Sequence, residues 1–170
     1  MDVEDDEPED GELISRAPTE EDIVGICRLL NAEGAKYLII GGFAIIYSGY
    51  GRTTGDVDLL IDTSPENEAR VYRCLESLPD KAVLQLDPGD VAKYTVVRVA
   101  DEIVVDLMKS ASGIDYAEAA KDIVIREVQG VPVPFASPKL LWRMKKNTHR
   151  QKDAVDLLFL RQQYPEVIEE

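Results

Sequence analysis

Two aspartates one residue apart, Asp56 and Asp58, stand at the mouth of an apolar run that continues through Leu59, Leu60 and Ile61. On a strand, positions i and i+2 share a face, so both carboxylates point the same way. Like charges held that close repel unless a cation lies between them. Mg²⁺ suits the pair, because it binds through one or two carboxylates and leaves positions open for phosphate oxygens. Upstream, Gly41-Gly42 end a second apolar run, Tyr37-Leu38-Ile39-Ile40, and lead into the short apolar segment Phe43-Ala44-Ile45-Ile46-Tyr47. Bare backbone N–H groups at a helix start favour an anion. Arg52, in the loop between glycines and aspartates, is read as a phosphate ligand in preference to a partner for an acid.

A third carboxylate stands out further on. Ile103-Val104-Val105-Asp106-Leu107 places one acid inside an apolar strand. Burying an unpaired carboxylate is expensive. The cost is offset if Asp106 lies beside Asp56 and Asp58 and completes a metal site. Near the C-terminus, Lys139, Arg143, Lys145, Lys146, Arg150 and Lys152 gather in one short stretch of an otherwise acidic chain.

Gly41-Gly42, thirteen residues, Asp56-Val57-Asp58 and the distant Asp106 together resemble the signature of the DNA polymerase beta-like nucleotidyltransferase superfamily. The spelling Arg52-x-Thr54-x-Asp56-x-Asp58 is similar to its small branch of minimal and abortive-infection toxin-type enzymes. Ser137-Pro138-x(6)-Lys145, followed by Arg150-x-Lys152-Asp153-x-x-Asp156-Leu157, resembles the C-terminal helical motif of that branch, in which a lysine and an aspartate face the nucleotide. Lys145 and Asp156 are the matching positions. The resemblance implies transfer of a nucleoside monophosphate from an NTP to an acceptor hydroxyl. Two Mg²⁺ ions, or Mn²⁺ in their place, would be held by Asp56, Asp58 and Asp106. Gly41, Gly42, Arg52, Thr54, Lys145 and Asp156 would surround the nucleotide. A tRNA end, a partner protein of toxin–antitoxin type, or a small molecule such as an aminoglycoside would be the acceptor. The alternative is a non-catalytic, antitoxin-like module that keeps the nucleotide-binding fold.

The elements needed to position these residues are legible in outline. The expected fold is α/β, a small mixed twisted β-sheet with helices packed on it, plus C-terminal helices. Residues 1–17 are read as a disordered acidic tail, residues 18–136 as the core, and residues 137–170 as a helical extension of the same domain. Thr19 and Asp22 mark a helix start. The expected strands are Tyr37–Ile40, Val57–Ile61, Val83–Leu86, a hairpin from Tyr94 to Leu107, and a second hairpin around Gln129-Gly130. Ser137-Pro138 opens a helix, and a final helix follows with Ala154, Leu157, Leu158 and Leu160 as its packing face.

Composition narrows the class. A chain of 170 residues with 45% hydrophobic residues has enough apolar content for a core. No run reaches the length of a membrane span. Cys27 and Cys74 sit in apolar helical patterns and are read as reduced, buried thiols of a cytoplasmic protein. One histidine leaves no zinc-type cluster. His149 is read as an exposed linker residue and Trp142 as core. A net charge of −14 argues against broad binding to DNA.

Overall fold

The computed structural model describes residues 14–168. In chain order its first elements are α1 (Glu20–Ala32), β1 (Tyr37–Ile40), α2 (Gly41–Tyr47), β2 (Asp56–Ile61), α3 (Pro65–Leu75) and α4 (Asp90–Lys93). Then come β3 (Val97–Ala100), β4 (Val104–Met108), the short pair β5 (Ser110–Ala111) and β6 (Ile114–Asp115), and α5 (Tyr116–Ala119). A hairpin of β7 (Ile123–Val128) and β8 (Val131–Ala136) precedes α6 (Pro138–Lys145) and α7 (Gln151–Gln163).

All four residues of β1 are buried, which requires neighbours on both edges and cover on both faces. The six-stranded sheet accordingly runs β3-β4-β2-β1-β8-β7, with β1 inside it. The sheet is mixed: β1/β8 and β2/β4 pair in parallel, and the other three pairs are antiparallel. Leu38, Ile39, Leu59, Leu60, Leu107 and Phe135 from the central strands form the core with Ile23, Leu30, Ile45 and Leu75 from the helices.

Helix starts follow local chemistry. The Thr19 amide donates to Asp22 Oδ2 at 2.7 Å, the acidic half of a capping box at the head of α1. Ser64 and Ser137 accept from the Asn67 and Leu140 amides at 3.3 and 3.1 Å. Each is followed by proline at the first helical position, where a missing N–H costs nothing. Cys27 and Cys74 are free and buried, and Trp142 is buried. No helix among the described residues is long and apolar enough to cross a membrane.

Two expectations are corrected. Val83–Leu86 is not a strand: Ala82–Gln85 forms a turn of 3₁₀ helix. The buried Asp101 carboxylate explains this, since it accepts from the amides of Asp80 and Ala82 at 2.9 and 2.8 Å and curls the chain. The packing face of α7 also differs. Asp153, Asp156 and Leu160 are buried, whereas Ala154 and Leu158 are exposed. Ion pairs, described below, turn the helix that way. Of the expected tail, residues 1–13 lie outside the described residues, and Ser15 and Arg16 bond to the domain. There the Ser15 hydroxyl donates to the Asp101 carbonyl at 2.6 Å and the Arg16 amide to the Glu102 carbonyl at 2.8 Å.

Candidate active site

The antiparallel β1/β2 pair sets Ile40 opposite Asp58, which brings the Gly41-Gly42 turn against the aspartates. Gly41 has φ +71°, a conformation glycine adopts without strain. A Cβ there would overlap the Asp58 carboxylate, and a Cβ on Gly42 would lie 2.6 Å from Thr54 Cβ. Both glycines are therefore required by close approach: Gly41 by Asp58, Gly42 by Thr54.

On the other side, β2 pairs in parallel with β4, and Asp58 is in register with Asp106. Asp56, Asp58 and Asp106 each offer a carboxylate oxygen, and these lie within 4.8 Å of one another. Asp106 is buried and the other two are half-buried. Burial, then the charges of Asp56 and Asp106, push Asp58 up to about 7, although Lys152 and Lys145 oppose the shift. Burial and the charge of Asp106 also raise Asp56, against the pull of Arg98 and Lys152. A cluster of hard oxygen donors with excess negative charge fits a small divalent cation. A cation seated there would offset both the burial and the repulsion that raise Asp58.

These carboxylates open onto a cleft of about 340 Å³. Gly41, Gly42, Arg52, Thr54, Asp56, Asp58, Asp106 and Lys145 all line it. Asp156 does not. It is fully buried behind the cleft, where Arg52 donates to it through Nε and Nη2 at 2.9 and 3.0 Å. Lys145 Nζ lies 2.9 Å from Asp153 Oδ1 and 3.2 Å from Asp156 Oδ2. The two cations read from the sequence as phosphate ligands are therefore neutralised by acids of α7. Burial alone would raise Asp153, but hydrogen bonds from Thr148, Lys145 and Arg150 hold it down to about 2. His149 is exposed in the α6–α7 linker with φ +65°.

Sequence reasoning missed Arg98. Its guanidinium grips Asp106 through Nε and Nη2, both at 2.9 Å, and reaches Asp56 Oδ2 at 3.4 Å. Register decides the contact: the connection 101–103 sets Arg98 opposite Asp106. A turn of two residues would set it opposite Val105 and on the other face. Arg150 and Lys152 complete the basic wall of the cleft.

The fold is that of the nucleotidyltransferases. The lincosamide antibiotic adenylyltransferase LnuA, crystallised with lincomycin, aligns with a TM-score of 0.58 at 15% identity, covering 86% of this chain and 98% of that one. A putative nucleotidyltransferase from Thermotoga maritima (TM-score 0.49, 16% identity, 83% of this chain and 89% of that one) is also similar. So is an antigenic nucleotidyltransferase-like protein from Paracoccidioides brasiliensis (0.47, 19%, 83% and 74%). No family model matches the chain, and no curated protein matches it by sequence.

Proposed function

We propose that the protein is a metal-dependent nucleotidyltransferase that moves a nucleoside monophosphate from an NTP to an acceptor hydroxyl. The convergence of Asp56, Asp58 and Asp106 on one side of a glycine turn carries this reading. Asp56 and Asp58 would hold one cation position and share the second with Asp106, filled by Mg²⁺ or Mn²⁺. Bound there, the cations would neutralise triphosphate charge and favour departure of pyrophosphate.

The chain's own residues supply the rest. The Gly41-Gly42 backbone offers N–H groups to phosphate oxygens at the start of α2, with no side chain to hold the nucleotide away. Arg150 and Lys152 face the same cleft and add positive charge at its wall. Arg52 and Lys145 act mainly through α7, fixing the loop before β2 and the α6–α7 pair around the site. In this reading Asp106, once free of Arg98, would take the proton of the acceptor hydroxyl as the hydroxyl oxygen bonds to the α-phosphorus and the bond from the α-phosphorus to the β-phosphate oxygen breaks.

The acceptor is a small molecule, a tRNA end or a partner protein. The likeness to an enzyme that adenylylates lincosamides makes a small hydroxylated molecule the first arm of the test, and the net charge of −14 favours it over a polyanion. The test is incubation with each α-labelled NTP, Mg²⁺ and, in separate reactions, bulk tRNA, a cell lysate and a panel of hydroxylated antibiotics. The expected result is label on one class, lost in Asp58→Asn. Label on none, with no binding of Mg²⁺-NTP by calorimetry, would instead favour the non-catalytic, partner-binding module.

A further inference from the structure

Arg98 is bonded to two of the three clustered carboxylates. Two of its nitrogens are spent on the two oxygens of Asp106, and one of these also approaches Asp56. This bidentate geometry binds carboxylate well and leaves no free lone pair of Asp106 on that side. Yet the guanidinium is not locked in. Its side chain is 59% exposed, and it projects from β3, the edge strand of the sheet. It also lines the cleft shared with Gly41, Gly42 and Lys152. Lys145 makes a contrast, since it is held by two acids and only 7% exposed in its side chain.

Resting on the functional reading above, we infer that Arg98 is the built-in counter-ion of the Asp56–Asp58–Asp106 cluster, displaced by the incoming divalent cation and released to the phosphates of the nucleotide. A solvent-facing side chain moves at small cost, whereas three clustered carboxylates left without a counter-ion repel one another. Displacement reduces apparent metal affinity to its intrinsic value multiplied by the fraction of molecules in which Arg98 has already let go. The same residue then strengthens nucleotide binding, so its removal has opposite effects on the two ligands. Arg98 is thus a positioning residue before the nucleotide arrives and a nucleotide ligand afterwards.

The test uses the full chain and Mn²⁺ alone, with free Mn²⁺ read by electron paramagnetic resonance. Arg98→Ala should bind Mn²⁺ about threefold to fivefold more tightly than wild type, the upper part of the scale for losing one exposed ion pair. Lys152→Ala removes a cation that also acts on Asp56 and Asp58 but bonds neither, and should change Mn²⁺ affinity less than about twofold. With Mn²⁺ saturating, Arg98→Ala should bind a non-hydrolysable NTP about tenfold more weakly. Arg98→Lys, which keeps the charge and loses the fork, should fall between on both readouts and replaces Arg98→Ala should that variant fold poorly. Equal Mn²⁺ affinity in wild type and both Arg98 variants would make Arg98 a plain structural ion pair and overturn the inference alone. Equal tightening in Lys152→Ala would reduce it to general electrostatics and overturn it likewise, as would unchanged NTP affinity in the Arg98 variants. Loss of Mn²⁺ binding in every protein, wild type included, would overturn the functional reading and the inference with it.

Discussion

Asp58 on β2 and Asp106 on β4 are register partners across a parallel strand pair, so their carboxylates leave the same face of the sheet. Neither strand alone brings more than two acids together. The pairing makes a three-carboxylate cluster, and burial together with mutual repulsion gives the site a measurable pH signature.

Asp58 is pushed from an ordinary 3.8 up to about 7. Between those values the folded state binds a proton that the unfolded state has released, so stability falls as pH rises from about 4 to about 7 and levels off above. Wild type should therefore lose about 2–4 kcal/mol relative to Asp58→Asn across that window, and the variant should be the more stable at about pH 8. Mg²⁺ should stabilise wild type at about pH 8 and have little effect at about pH 5, where Asp58 keeps its proton. Urea unfolding of both proteins across this range measures it. A difference independent of pH would mean that Asp58 titrates as an ordinary carboxyl.

Gly41→Ala should disrupt both backbone and site. It puts a side chain at φ +71° and drives its Cβ into the Asp58 carboxylate. A cost of about 1–3 kcal/mol is expected, with loss of transfer activity. Gly55→Ala has open space and no positive φ, and should stay within about 0.5 kcal/mol. Thermal melts and label transfer on the two variants give the comparison, and similar losses in both would reject close packing as the reason for the glycine.

Lys145→Ala leaves Asp153 and Asp156 buried without their shared lysine. Removing one partner of a buried ion pair costs about 3–5 kcal/mol, so a large drop in Tm should precede any effect on nucleotide affinity. Lys146, adjacent in sequence and exposed, should tolerate alanine within about 0.5 kcal/mol. A Lys145→Ala protein with native Tm and weakened NTP binding would instead make this lysine a direct phosphate ligand.

Arg52 and Asp156 tie the loop before β2 to α7 across 104 positions of chain. A double-mutant cycle of Arg52→Ala and Asp156→Asn should return a coupling of about 1–3 kcal/mol, because the pair is bidentate and Asp156 is fully buried. Hydrogen exchange in α7 should quicken in Arg52→Ala. A coupling near zero would show that the two residues act separately.

Local pattern determined much of this protein. Unbroken apolar runs marked β1 and β2, Ser137-Pro138 marked α6, and Gly41-Gly42 with Asp56-x-Asp58 marked one wall of the cleft. Each of those signals lies within a few residues of what it specifies. Asp106 was legible for a related reason, because a single acid in an apolar strand must find a use. The partners of the cations were not legible. Arg98 reaches Asp106 only through a hairpin register that one residue of turn length would reverse. Arg52 and Lys145 read as free phosphate ligands until α7 packs its two acids behind them. A charge shows its type in sequence, but the other charges that neutralise it are chosen by contacts between distant segments, and only the tertiary structure decides those.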